Sequence, residues 1–135
     1  MQWDTTANAG FTTGAKPWLA VNPNYKEINA AEQLADPDSP YRYTAQMIHL
    51  RSVTPAFVYG DYKDLDPANP AIFAYTRTLG AERYLVVLNF SDKPTVFTVP
   101  DGIKPARLLI TNEGSAEANT ATLNLKGWEA RVYKY

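Results

Sequence analysis

The run from Gln2 to Pro40 limits the fold more than any other part of this chain. It carries aromatics at Trp3, Phe11, Trp18 and Tyr25, set among Asn8, Gly10, Gly14, Pro17, Asn22, Pro23 and Asn24. No helical or strand period runs through most of it. Structureless loops beyond about 12–15 residues are uncommon in compact domains, and are usually functional or disordered. This one is too aromatic for a typical disordered tail. A chain that opens in the middle of such a loop reads as a piece of something larger.

The rest divides into a helix and an all-β zone. A short helix is expected at Asn29–Ala35, capped by Asn29, with Glu32 three residues on as in a capping box. Asp36-Pro37-Asp38 then breaks the chain, its carboxylates suited to capping turns. A longer helix is expected over Pro40–Thr54. Ser39 can cap it, and Pro40 suits its first position. Tyr43, Met47, Leu50 and Thr54, widened by Ile48 and Val53, read as one buried face. Pro55 ends it. A lone helix with such a stripe must pack on something, so its partner is expected either in the first zone or outside the chain.

Candidate strands follow at Ala56–Tyr59, Asp61–Leu65, Ile72–Leu79, Arg83–Phe90, Thr95–Val99, Ala106–Thr111, Thr122–Leu125 and Trp128–Tyr135. Turn signals separate them, including Asp66-Pro67-Ala68-Asn69-Pro70, Ser91-Asp92-Lys93-Pro94 and Asn112-Glu113-Gly114-Ser115. Short strands at regular spacing point to an antiparallel sandwich. Tyr84–Leu88 is apolar on both faces and should be a central strand. Trp128, Ala130 and Val132 alternate with Glu129 and Arg131, which reads as a half-buried strand. The fold class expected is therefore mainly β, and one core can be built within 135 residues that are 45% hydrophobic.

Composition narrows the chemistry. With 13 basic and 14 acidic side chains the net charge is −1, and no basic patch suits nucleic acid or an anionic lipid surface. The chain has no cysteine, which excludes disulfides, thiolate metal sites and cysteine nucleophiles and is compatible with a cytoplasmic location. No apolar stretch is long enough to span a bilayer. There is no phosphate-binding glycine loop, calcium loop or serine elbow, and no cofactor is expected. The only histidine, His49, reads as a surface or boundary residue. Asp4, Glu27, Glu32, Asp36 and Asp38 are not spaced to pair two carboxylates on one rigid element. Asp4 reads chiefly as an acceptor ordering its loop. Phe11 and Trp18 read as residues that pin the loop by burial. Trp3 stands open between pinning and stacking on a sugar ring.

Met1-Gln2-Trp3-Asp4, Asn8-Ala9-Gly10-Phe11-Thr12-Thr13-Gly14, Lys16-Pro17-Trp18-Leu19 and Val21-Asn22-Pro23-Asn24-Tyr25 resemble a segment late in the barrel of oligo-1,6-glucosidases. These are α-glucosidases of glycoside hydrolase family 13, the α-amylase family. The similarity continues through Ile28-Asn29-Ala30, Val58-Tyr59-Gly60-Asp61-Tyr62, Phe73-Ala74-Tyr75, Val86-Val87-Leu88-Asn89-Phe90-Ser91 and Glu129-Ala130-Arg131-Val132-Tyr133. It implies that residues 1–60 are the last loop and helix of a (β/α)8 barrel, and residues 61–135 a C-terminal antiparallel β domain. It also implies a parent that hydrolyses α-1,6 or α-1,4 glucosidic bonds in short oligosaccharides, with retention. The acids that do this lie upstream of Met1 in the family, so no catalytic residue carries over and the chain alone should be inactive. Gln2 and Trp3 would stand at the substrate rim. Other members of the family, among them sucrose isomerases and dextran glucosidases, are alternatives for the parent. Two further expectations concern partners. The β domain could hold sugar at Tyr133 and Tyr135, although a structural role suits both better. The isolated chain, lacking the parent barrel, should self-associate through its exposed helix stripe or fold its first zone over the β domain.

Overall fold

The computed structural model describes residues 1–114 and 116–135; Ser115, at the end of one expected turn, lies outside the described residues. Two compact units result, Met1–His49 and Leu50–Tyr135. The first holds two short 3-10 turns, Ala7–Gly10 and Pro23–Lys26, then helix α1 (Ala30–Ala35) and most of α2 (Pro40–Val53). The second holds the end of α2, α3 (Ala56–Tyr59) and strands β1 (Asp61–Asp64), β2 (Ile72–Leu79), β3 (Glu82–Asn89), β4 (Thr95–Thr98), β5 (Arg107–Thr111), β6 (Thr122–Leu125) and β7 (Ala130–Lys134).

Helix starts follow the side chains that cap them. The Asn29 carboxamide oxygen accepts from the Glu32 N–H at 3.0 Å while its amide donates to the Tyr25 carbonyl. Ser39 Oγ accepts from the Arg42 N–H at 3.2 Å and donates to the Gln33 carbonyl at 2.6 Å. Asp36 closes the intervening turn by accepting from the Asp38 N–H. The expected face of α2 is only half-buried: Tyr43, Met47 and Leu50 are partly covered, no residue of the helix is buried, and Ile48 and Val53 are well exposed. Of the expected stripe only Thr54, just past the end of the helix, is buried.

Ala56–Tyr59 is a helical turn, not the expected strand. Phe, Val and Tyr favour strands, but Pro55 already holds helical angles (φ −53°, ψ −32°) and starts the chain on a helical course. The Tyr59 and Gly60 N–H groups then close onto the Pro55 and Ala56 carbonyls at 2.8 and 3.0 Å. Gly60 is required where this turn meets β2, since a Cβ there would lie 2.5 Å from the Ala56 oxygen and 2.7 Å from the Thr78 oxygen.

The strands form a five-stranded antiparallel sheet, ordered β1-β2-β3-β7-β5, and a two-stranded sheet of β4 and β6. β3 is central, and Tyr84, Leu85, Val86 and Val87 are buried on both of its faces, as their apolar run requires. The inner face presents Ile72, Ala74, Leu85, Val87 and Tyr133 to Phe97, Val99, Leu123 and Leu125. Each large side chain buried there contributes about 1.5–3 kcal/mol.

The start of β7 differs from the expected pattern. Trp128 is exposed with a left-handed backbone (φ +60°), ahead of the strand, while Glu129 and Arg131 lie inside. Both are buried. Arg131 Nε meets Glu129 Oε1 at 2.6 Å and Nη2 meets Oε2 at 3.0 Å. Arg131 also donates to the Asn124 carbonyl on β6, and Glu129 accepts from the Lys126 N–H at 2.7 Å. The pair survives burial because each charge has a partner and further hydrogen bonds.

Removing one partner strands the other. Glu129→Ala is expected to lower unfolding free energy by about 3–5 kcal/mol in urea titrations, with a smaller loss when Arg131→Met is added. Burial pushes the Glu129 carboxyl up, but the Arg131 and Lys126 hydrogen bonds and charges outweigh this and hold it below its ordinary value. A depressed folded pKa stabilises at pH above the unfolded carboxylate range, and that stability is lost as pH falls through the folded value. The stability of the native chain should therefore fall more steeply on acidification below about pH 4 than that of Glu129→Gln.

Candidate functional site

The loop expected to be functional is built from local hydrogen bonds. Asn8, Ala9 and Gly10 follow one another with left-handed backbones, φ +55°, +56° and +65°. Left-handed geometry costs a residue with a Cβ roughly 1–2 kcal/mol, so this turn persists only because its surroundings hold it. The Trp3 N–H donates to the Ala9 carbonyl at 2.9 Å, and Asn8 Nδ2 donates to the Gly14 carbonyl at 2.9 Å. Asp4 Oδ1 accepts from both the Thr6 hydroxyl and the Thr6 N–H. Those two bonds, the hydroxyl first, hold the Asp4 carboxyl below its ordinary value. Asp4 thus orders its loop, as its position in an Asx turn suggests.

Gln2 is committed to the same task. Its amide donates to Asn24 Oδ1 at 3.0 Å and to the Ile28 carbonyl at 2.8 Å. The Gln2 and Trp3 carbonyls accept from the Ala30 and Ala31 N–H groups, both at 2.9 Å, and so seat the start of α1. Trp3 itself is 49% exposed, which leaves part of its ring free. Beside Gln2, a depression of about 330 Å³ is lined by Met1, Phe11, Trp18, Leu19 and Val21 among others. A second, of about 660 Å³, lies along Asp4, Thr6, Gly10 and Thr12.

Burial does not pin this loop. Trp18 is 96% exposed and Phe11 is exposed too. Within Met1–His49 only Ala9, Asn29 and Ser39 are buried, so the unit offers these rings no core. The acids Asp4, Glu27, Glu32, Asp36 and Asp38 form no paired site, and no cluster of metal-ligating side chains occurs among the described residues. His49 is exposed on α2. Tyr133 is no sugar platform: it is fully buried and its hydroxyl donates to the Glu117 carbonyl at 2.7 Å. Tyr135 packs partly buried against the core. Structural tyrosines suit both positions better, and the inward register of β7 is why.

The arrangement is that of a two-sheet antiparallel β domain preceded by a strained, aromatic loop and a helix without its own core. Residues 1–60 match the family described as "Alpha amylase, catalytic domain", and residues 72–132 match "Alpha-amylase SusG C-terminal domain". The chain belongs to the α-amylase family, glycoside hydrolase family 13. It is 49% identical to the oligo-1,6-glucosidase of Parageobacillus thermoglucosidasius over 99% of its own length and 24% of the relative's. It is 37% identical to the trehalose-6-phosphate hydrolase of Bacillus subtilis strain 168, again over 99% of this chain and 24% of that one. The crystal structure of the trehalulose synthase MutB from Pseudomonas mesoacidophila MX-45 superposes with a TM-score of 0.91 at 50% identity, covering 98% of this chain and 24% of that chain. The chain thus spans about a quarter of the length of these relatives.

The left-handed turn gives a direct test of how the loop is held. Gly10→Ala would place a Cβ 2.7 Å from the Asp4 carboxylate oxygens on a left-handed backbone. Amide exchange at Trp3 and Ala9 should accelerate at least tenfold, while exchange at Leu85 in the central strand stays unchanged.

Proposed function

We propose that the chain is the C-terminal part of a retaining glycosidase that hydrolyses α-1,6 or α-1,4 glucosidic bonds in short oligosaccharides. Its own role in that enzyme is structural. The carrying observation is the likeness to oligo-1,6-glucosidases along the whole chain, joined to a loop that has no paired acids. Retaining hydrolysis needs two carboxyl groups about 5–5.5 Å apart across the scissile bond, and nothing in the loop supplies them. In this reading residues 1–60 finish the catalytic barrel and residues 61–135 form the C-terminal domain. The loop after a barrel's last strand lies at the face where such barrels build their active sites. Trp3 would then contribute its exposed ring at the substrate rim. Gln2, its amide already engaged, would offer only Oε1. The parent needs no cofactor, works in the cytoplasm and meets its oligosaccharide through the barrel. Freed from that barrel, the chain self-associates through its apolar helix stripe.

A second reading, the same part of a sucrose isomerase, draws on the 50% identity to trehalulose synthase, whose substrate is sucrose. The two differ in the barrel, which decides the fate of the bound sugar, and have in common the structural role of this chain.

The isolated chain is expected to release no glucose from isomaltose or a chromogenic α-glucoside. Fused behind the barrel of the Parageobacillus enzyme in place of its matching quarter, it should restore isomaltose hydrolysis to within about tenfold of the host. Turnover that purifies with the isolated chain, or a folded but inactive fusion, would overturn the reading.

A further inference from the structure

The turn between β4 and β5 holds the one place where an aspartate or asparagine of this chain precedes a glycine, Asp101–Gly102. Both residues are exposed. Gly102 has a φ of +86°, and a Cβ placed on it would meet no heavy atom within 4 Å. Among the described residues the Gly102 N–H and the Asp101 carboxylate have no hydrogen-bond or ion-pair partner. Most other aspartates are engaged or shielded. Asp4, Asp36, Asp64 and Asp66 each spend a carboxylate oxygen on a nearby donor. Asp38 precedes Ser39, which is buried and whose N–H already donates to the Asp36 carbonyl at 3.3 Å.

In these conditions a peptide nitrogen can attack the side chain before it. The attacking nitrogen is uncommitted, no Cβ shields it, and the carboxyl it must reach is held by nothing else. The Asp101–Gly102 peptide has to rotate first. One hydrogen bond opposes this, from the Ile103 N–H to the Pro100 carbonyl at 3.2 Å, and a glycine at the third turn position accepts either backbone hand.

We propose that Asp101–Gly102 is a self-modification site, at which the folded chain passes through a succinimide to isoaspartate and loses the hydrogen bond of its turn. The Gly102 nitrogen forms a bond to Cγ of the protonated Asp101 carboxyl, and the carboxyl OH leaves with the amide proton as water. A second water then opens the ring at either carbonyl. Opening at the backbone carbonyl routes the main chain through Cβ and Cγ, one atom longer than before. A depression of about 420 Å³ alongside Pro100, Gly102 and Ala121 gives that water its access. No oxidant, reductant or further reactant is consumed. The stems of the turn decide what the extra atom does. On one side the Val99 N–H donates to the Ala121 carbonyl at 2.9 Å, and on the other the Pro105 carbonyl accepts from the Asn119 N–H at 2.8 Å. Val99 and Pro105 are buried, and Ile103 packs against the core. Held at both ends, the turn cannot pass the added atom along the chain, so the isoaspartyl form gives up the bond between Ile103 and Pro100.

Peptide mapping of the full chain, warmed for several weeks at mildly acidic pH in water enriched in heavy oxygen, tests this. The peptide containing Asp101 should gain heavy oxygen and a growing isoaspartyl fraction. Electron-transfer fragmentation and methylation by a purified isoaspartyl methyltransferase read that fraction. Peptides carrying Asp38 and Asp92 should change at least tenfold less. Asp101→Glu keeps the charge but needs a larger ring, and should abolish both signals. In the separated isoaspartyl form the Ile103 amide should exchange at least tenfold faster, with Leu85 unchanged. Absence of isoaspartate at Asp101, equal formation at Asp38 or Asp92, or formation only in urea overturns the proposal. An Ile103 amide that exchanges alike in both forms overturns the loss of the turn bond.

Discussion

The β domain closes around one arginine. Arg131 sits on the inner face of β7, where a charge has no place unless it is fully met. Its guanidinium meets Glu129 just ahead of its own strand, the Asn124 carbonyl on β6 in the other sheet, and the Tyr133 hydroxyl further along β7 at 3.4 Å. The apolar core supplies most of the burial energy, but it is non-directional and would tolerate the small sheet sliding over the large one. The arginine fixes where the sheets meet, because its fork reaches the Asn124 carbonyl in a single alignment. Asn89 does the same at one end of the core. Both of its amide hydrogens go to the Lys93 and Lys126 carbonyls, both at 2.8 Å, while its oxygen accepts from Ser91. Two buried polar side chains thus tie the β3–β4 turn, the β6–β7 turn and strand β6 to one register.

The two units contrast in how they are held. Leu50–Tyr135 has a core, and its polar groups lock a packing that hydrophobic burial already favours. Met1–His49 has almost none, and hydrogen bonds carry what order it has. Gln2, Asp4, Asn8, Asn29 and Ser39 each bond to backbone groups elsewhere in the unit. Such bonds contribute about 0.5–1.5 kcal/mol apiece, enough to shape a loop and too little to bury one. Trp18, Phe11, Ile48 and Val53 are apolar and exposed, because the first unit has no core to take them.

Much of this was legible in the residues because local chemistry decided it. Asn29 and Ser39 cap helices since their side chains reach the third N–H onward. The β2 and β6 bounds follow from strand runs between strong turn signals, and Tyr84–Leu88 had to be central because it is apolar on both faces. What could not be read depends on long-range context. Ala56–Tyr59 has strand-forming residues, yet Pro55 and the packing of Phe57 on Tyr84 make it a helix. Alternation put Glu129 and Arg131 in water, but β7 is covered on both faces, and nothing local announces the ion pair that lets Glu129 and Arg131 be buried. Phe11 and Trp18 were expected to pin the loop by burial, because large rings usually do. That expectation assumes the chain contains its own core at that point.

The loop at the start of the chain spends its polar side chains on its own backbone. Asn8 and Ala9 take left-handed backbones at a cost, whereas Gly10, with no Cβ, takes one freely. The strain is offset by bonds from Trp3, Asp4 and Asn8, which place their own backbone groups and leave no acid or base free to act. On the glycosidase reading proposed above, the strain and the missing core beneath the loop have one physical explanation: each is half of a contact whose other half would belong to the parent barrel.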